Sequence, residues 1–363
     1  MPIKIDPIVS ALADTVPFVA PEETERAKGV VFKARLGANE GNFGPASAAV
    51  AAIQKAASDD IWKYCDPTAF ELRQALSRRL NIDLDEVVCG PGIDGLLGLI
   101  VRIFSSPGDT ILTSLGAYPT FNYHVHAYGR TLKTLPYKAF REDLEGLAQL
   151  TREQRVSIVY VSNPDNPMGT WWRADAVEAF LNAVSPNTLI ILDEAYGETA
   201  PDGTLPPIDT GRPNLIRLRT FSKAYGLAGL RVGYAFGNRE LVKLFHRVRD
   251  HFGVNVMAQK AALASLDATK WLAEAIEQIA DGRDRIAKIA RDNNLDPIAS
   301  ATNFVTIDCK ADGDFAAGIL QRLADHGVFV RKPMAPGLDR CVRISVGRKE
   351  ELDHLEAVLP QVL

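Results

Sequence analysis

The sequence predicts an α/β fold: a mostly parallel sheet sandwiched by helices, followed by a smaller α+β unit. Three features predict it. Short β-branched runs alternate with helical stretches through the middle of the chain. Several runs, SIVYV and LIIL among them, are apolar on both faces without alternation, as expected of strands covered on both sides. The segments between them, 70–80 and 175–183 for example, are mostly long enough for crossover helices.

In chain order, the first residues are weakly periodic and read as an arm, 1–38, that packs on the second unit or on a partner subunit. Strands are expected over 86–89, 110–113, 156–162, 188–192, 215–219 and 231–236. After about residue 238 the texture changes. Helices are expected over 239–251, 256–266 and 270–293, then a strand over 303–309 and a helix over 314–326. Strands over 328–330 and 341–346 and a last helix from 349 complete the chain. The expected division is an arm at 1–38, a large α/β domain at 39–250 and a small α+β domain at 251–363.

Composition narrows the function. The 363 residues carry 41 Lys plus Arg against 45 Asp plus Glu, a net charge of −4, which argues against a general nucleic-acid binder. No stretch approaches the roughly 20 apolar residues of a membrane span, and no secretory leader is read at the N-terminus. The four cysteines lie far apart without a CxxC pair, so a reduced, cytoplasmic setting is expected.

One motif points elsewhere. Gly90-Pro91-Gly92-Ile93-Asp94-Gly95 is a literal GxGxxG after a strand and before a helix, the local context of a dinucleotide site. The acidic residue that should end the next strand is missing, since Asp109 precedes that strand, and Pro91 removes an N–H from the turn. What remains is a helix N-terminus whose N–H groups at Ile93 and Asp94 suit one phosphate.

Four later features each sit at or just past an expected strand end, where open α/β sheets bind ligands. Ser162–Gly169 (SNPDNPMG) is a fixed polar turn that offers the Asn166 amide. In LDEAY, Asp193 ends a buried strand and needs a cation or strong donors, or else serves as a helix cap; Glu194 is read as pairing locally. In RTFSKAYGLAGLRVGY, Lys223 lies between a buried strand and a glycine-rich loop, with the Thr220 and Ser222 hydroxyls and Arg231 nearby. A lysine so placed suits Schiff-base chemistry, and hydroxyls with a guanidinium suit a phosphate. Arg343 in CVRISV faces away from Val342, Ile344 and Val346, as either a surface cation or a carboxylate clamp. Together these describe a cofactor with an aldehyde, a basic ring nitrogen, a ring oxygen and a phosphate, an inventory that pyridoxal 5′-phosphate matches.

The ordered set NPxxP, DEAY, TxSKxxxLAGLRxGY and CxRIxVG, spread over roughly residues 35–350, resembles the fold-type I pyridoxal-phosphate aminotransferases, most of all the histidinol-phosphate aminotransferase-like branch. The resemblance implies a seven-stranded large-domain sheet. It implies that Lys223 is the Schiff-base lysine and proton shuttle, that Asp193 keeps the ring nitrogen protonated, and that Asn166 and Tyr196 bond the ring oxygen. It further implies that Tyr118 stacks on the ring and that Ile93, Asp94, Thr220, Ser222 and Arg231 hold the phosphate. Tyr64 is implied to reach the cofactor of a partner subunit in a homodimer with shared sites. Arg343 is implied to clamp the substrate carboxylate, with Gly37 and Arg331 also on the substrate side. The reaction implied is ping-pong transfer from an amino-acid-like donor to a 2-oxo acid, 2-oxoglutarate being the expected acceptor. A decarboxylase of the threonine-phosphate type is the alternative.

The sequence departs from the family at Met168, Gly95, Gly116-Ala117 and the LGANE stretch at 36–40. Phe18 replaces a tyrosine associated with a substrate phosphate, which weakens the expectation of a phosphorylated donor. His124 and His126 form an HxH on an expected helix with no third ligand nearby, so no metal is expected.

Overall fold

The computed structural model describes residues 3–13 and 19–363, so Phe18 lies outside the described residues. A short strand β1 (Ala34–Arg35) precedes seven strands that form one sheet. These are β2 (Val87–Gly90), β3 (Thr110–Ser114), β4 (Thr131–Leu135), β5 (Ile158–Ser162), β6 (Leu189–Asp193), β7 (Leu215–Thr220) and β8 (Gly233–Gly237). Their spatial order is β2-β8-β7-β6-β5-β3-β4. Only β8 runs against its neighbours; the pairs from β7 to β4 are all parallel.

Every residue of β5 and β6 is buried, as their unbroken apolar runs required. One face packs against the amphipathic helices Gly92–Phe104 and Pro119–Ala127, with Leu96, Leu97, Ile100 and Phe121 fully inside. The other face packs against Leu144–Glu153 and Ala174–Ala183 through Leu147, Val177, Phe180 and Leu181. Burying a leucine side chain in such a layer contributes roughly 1.5–3 kcal/mol.

Strand β4 was not among the expected strands. It is the sheet edge, no residue of it is fully buried, and Lys133 sits at its centre, so its pattern lacks the apolar run of its neighbours. The expected helix over 239–251 is shorter, ending at Phe245.

The C-terminal part holds β9 (Asp296–Pro297), β10 (Phe304–Asp308), β11 (Val328–Phe329) and β12 (Cys341–Ser345). The antiparallel order is β12-β10-β9, while β11 pairs in parallel with β1 near the N-terminus. A separate core of Ile286, Ile319, Leu323, Ile344 and Leu355 also takes in Ala34 and Leu36. The helix Val256–Asp267 places Ala258, Ala261 and Ala262 in one cluster with Leu72, Leu76 and Phe236 of the larger unit.

Parallel strands put their C-terminal ends on one edge. Ser114, Ser162, Asp193 and Thr220 therefore emerge side by side, and the antiparallel β8 brings Arg231, two residues before its start, to the same edge. The glycine turn after β2 arrives there too. However, β2 is an antiparallel edge strand and not the first strand of a parallel βαβ unit, so the GxGxxG is not a dinucleotide fingerprint.

Candidate active site

At that edge lies a cleft of about 1000 Å³. Ile93, Asp94, Tyr118, Asn166, Asp193, Tyr196, Thr220, Ser222, Lys223, Arg231, Arg331 and Arg343 all line it. Gly37 does not line it; its carbonyl oxygen accepts from Arg343 Nη2 at 3.2 Å, so it bears on the cleft only through Arg343.

Lys223 follows β7, and its Nζ donates to the backbone oxygen of Asn39 at 3.0 Å. Burial pulls the ammonium down to about 8, helped by the Arg343 and Arg231 charges and opposed by Glu40 and Asp193. About a tenth of these amines is therefore neutral near pH 7.

Asp193 is 4% exposed at the end of β6. Tyr160 OH donates to its Oδ2 at 2.8 Å and the Ala195 N–H to its Oδ1 at 2.9 Å. It closes a local turn and caps no helix, since the next short helix, Gly197–Thr199, has Tyr196 at its N-cap, and it lines the cleft. Burial lifts it to about 6, with the Tyr160 and Ala195 donors pulling the other way. A cation facing it would relieve that burial cost. Glu194 does not pair locally as expected. It is fully buried and meets Arg217 Nε at 2.9 Å and Arg219 Nε at 2.8 Å on the next strand.

A phosphate-sized cradle closes one end of the cleft. Helix Gly92–Phe104 begins there without a side-chain cap, which leaves its first N–H groups for a ligand. Arg231 holds a left-handed backbone (φ 53°), and its Nη1 donates to Ala228 O at 3.0 Å and Ser222 Oγ at 3.4 Å. Thr220 Oγ1 donates to Ser222 Oγ at 3.0 Å. Gly92 has φ +76°, and a Cβ there would stand 2.6 Å from Arg231 Nη2, so only glycine admits the guanidinium.

At the other end, Arg343 on β12 faces away from Val342 and Ile344, which lie in the small core, as its alternating strand implied. Its Nη1 donates to Asn166 Oδ1 at 2.6 Å. Its Nε is buried with no hydrogen-bond partner among the described residues, a donor without an acceptor. Burial lowers its affinity for its proton. Arg331 pairs with Arg343 through the backbone, stacks on Phe329 and donates to Val19 O.

Tyr118 caps the helix Pro119–Ala127 beside the cleft, and burial raises its hydroxyl. Tyr64 is not brought into this cleft; its side chain is 81% exposed and stacks on Phe252, centroids 4.5 Å apart. His124 and His126 lie on the helix Pro119–Ala127, where His124 Nε2 pairs with Asp94 Oδ1 at 3.0 Å.

Two site residues were missed. Asn39 donates from Nδ2 to Tyr196 OH at 3.1 Å, while its Oδ1 accepts from Ser345 Oγ at 2.8 Å. Its signal was an asparagine in LGANE, a residue type that tolerates the left-handed backbone it adopts (φ 55°). Tyr160, which supports Asp193, was signalled only by a hydroxyl inside an otherwise apolar strand.

The arrangement joins a buried amine, a buried carboxylate, an anion cradle and a clamp with an unused donor. Each matches one group of an aromatic aldehyde phosphate and its substrate. The family model described as aminotransferase class I and II matches residues 33–359. The chain is 36% identical to the histidinol-phosphate aminotransferase of Anaeromyxobacter sp. (strain Fw109-5), covering 100% of both chains. It is also 36% identical to histidinol-phosphate aminotransferase 1 of Nitrosococcus oceani, over 94% of this chain and 92% of that protein. Among solved structures, the histidinol-phosphate aminotransferase from Sinorhizobium meliloti in complex with pyridoxal-5′-phosphate matches with a TM-score of 0.95 and 48% identity. That match covers 99% of this chain and 97% of that one.

Proposed function

This chain belongs to the class I and II aminotransferases, and from that premise we propose that it binds pyridoxal 5′-phosphate and moves the amino group of L-histidinol phosphate to 2-oxoglutarate. One observation carries the chemistry: the buried Lys223 amine, drawn down to about 8, shares a cleft with the Asp193 carboxylate and the unpartnered Nε of Arg343. The substrate rests on the relatives, which carry that name at 36% to 48% identity over nearly the whole chain.

When bound, the cofactor supplies an aldehyde for an amine and a ring that withdraws electrons from the α-carbon. The residues of the chain supply the rest. Lys223 Nζ would hold the cofactor at its aldehyde, and its amine would move the proton at the substrate α-carbon. Asp193 holds a proton on the ring nitrogen, and Tyr160 fixes its orientation. Asn166 and Tyr196 bond the ring oxygen, with Asn39 holding Tyr196 in place, and Tyr118 covers the ring face. The first N–H groups of Gly92–Phe104, at Ile93 and Asp94, bind the phosphate with Thr220, Ser222 and Arg231.

Both substrates carry an anion near the reacting carbon: a phosphate one methylene away in the donor, a carboxylate in the acceptor. Arg343, held by Gly37 and Asn166, takes that anion in each half-reaction, and the adjacent Arg331 serves the second charge. The working form is a homodimer in which Tyr64 completes the partner's phosphate site. The exposed apolar group of Ile61, Trp62, Tyr64 and Phe252 supports that assembly.

The test is a donor panel of histidinol phosphate, phenylalanine, tyrosine and aspartate. Each is scored by conversion of the bound cofactor to its amine form, with 2-oxoglutarate reversing it. Histidinol phosphate is expected to lead by about 100-fold in kcat/KM. A faster aromatic donor would replace the substrate, and carbon dioxide release without amine transfer would install the decarboxylase reading, which no observation here favours.

A further inference from the structure

Behind the cleft wall, two carboxylic acids are buried together. Glu142, just before helix Leu144–Glu153, and Asp165, in the turn after β5, are each 2% exposed. One hydroxyl lies between them: Ser162 Oγ is 3.1 Å from Glu142 Oε1 and 3.3 Å from Asp165 Oδ1. Among the described residues every other donor to the pair is neutral. Ser114 Oγ gives to Glu142 Oε2 at 2.6 Å and Ser162 N to Glu142 Oε1 at 2.8 Å. Tyr137 OH gives to Asp165 Oδ1 at 2.7 Å and Met168 N to Asp165 Oδ2 at 2.9 Å.

The titratable groups facing the pair are the Tyr137 and Tyr160 hydroxyls and, beyond Asn166, the Arg343 guanidinium. The outer cations are engaged elsewhere: Lys138 with Asp143, Arg141 over Trp172, and Arg340 with Asp308. Two anions sharing one hydroxyl in a dry site are strongly disfavoured, because the single Ser162 hydrogen serves only one of them. The pair therefore retains one proton through neutral pH. Burial first, then the neighbouring Asp165, pushes Glu142 up to about 8, and burial pushes Asp165 up to about 6. The two steps belong to the pair and not to either residue.

Asp165 also braces the turn that carries Asn166. Its side chain holds Met168 N, its own N–H donates to Thr170 O at 2.8 Å, and its carbonyl accepts from Gly169 N at 3.1 Å. Asn166 in turn receives Arg343 Nη1. We infer that Glu142 and Asp165 form a proton-sharing positioning pair: with one proton it fixes the turn that presents Asn166 and Arg343 to the substrate anion, and loss of that proton loosens the grip. The inference rests on the reading above, in which Asn166 and Arg343 face the substrate.

The experiment uses the holoenzyme, with donor KM and kcat measured against pH. In the wild type, donor KM is expected to rise about tenfold between about pH 7 and pH 9 with little change in kcat. Glu142→Gln is a permanently neutral neighbour for Asp165 and is expected to flatten that rise, as is Asp165→Asn. The pH titration of the visible cofactor band should stay the same in Glu142→Gln, which separates the effect from Lys223. Independently of any variant's folding, infrared difference spectra of the wild type should show a buried carboxylic-acid C=O band that bleaches with the KM midpoint. Superimposable KM profiles, or a wild type without that band, would overturn the inference. If no donor exchanges its amine at any pH, the functional reading fails instead, and the infrared spectra still decide the pair.

Discussion

Lys223 sits where two demands conflict. The proposed chemistry needs a neutral amine, while the folded chain must bury whatever charge that amine carries. The folded pKa lies near 8, below the ordinary 10.5, so the unfolded chain binds this proton more tightly in the window between. The buried ammonium thus costs stability below about pH 8, and the cost fades as the pH rises toward 10.5. Lys223→Met is expected to raise the stability of the cofactor-free protein by about 1–3 kcal/mol at neutral pH, with the gain vanishing near pH 10.5. Denaturant melts at both pH values check it. The same variant should lose at least about a thousandfold in kcat, and wild-type turnover would remove Lys223 from the mechanism. This lysine was legible because its flanks, SK and GLAG, place it between an apolar strand and a tight loop. Asn39 was not, since its role depends on Tyr196 and Ser345, which lie 157 and 306 positions away.

Elements set the next level of precision. The first residue of helix Gly92–Phe104 meets Arg231 so closely that a Cβ at Gly92 would displace the guanidinium. Gly92→Ala should cost about 1 kcal/mol or more in stability from its positive φ. It should also weaken cofactor binding about tenfold by displacing Arg231, as read by equilibrium titration; unchanged affinity would remove the guanidinium from the cradle. Strands β6 and β7 are tied by Glu194, which is buried between Arg217 and Arg219. Glu194→Ala would leave two buried guanidinium groups without their anion, an expected loss of about 3–5 kcal/mol in a urea melt. The sequence placed Glu194 at a strand end and two arginines on one face of the strand at 215–219, but could not show that the two strands lie side by side with that face toward Glu194. Likewise the GxGxxG read correctly as strand, turn and helix, yet its meaning depended on which way the neighbouring strand runs.

At the scale of the whole molecule, the cleft draws on three distant stretches: the 36–40 segment, the edge of the large sheet, and β12 of the C-terminal unit. The proposed dimer adds a fourth and gives a direct test. Lys223→Ala and Tyr64→Ala homodimers should each be impaired, the first severely. Mixed subunits should recover activity above the sum of the two, because a hybrid holds one site with an intact lysine and an intact partner tyrosine. No recovery in a verified hybrid would confine Tyr64 to its own subunit. By itself, the sequence determined the α/β class, the buried strands, and the residue types that handle an aldehyde, a ring nitrogen and a phosphate. These follow from local patterns, in which apolar periodicity sets the element and each motif sits at a strand end. Only the tertiary structure decided that β2 lies at an edge beside the antiparallel β8, that Asn39 and Tyr160 brace the site, and that Glu142 and Asp165 share the Ser162 hydroxyl. Those are contacts between segments far apart in the chain, and burial energies that depend on which groups share one dry space are not written in any single stretch.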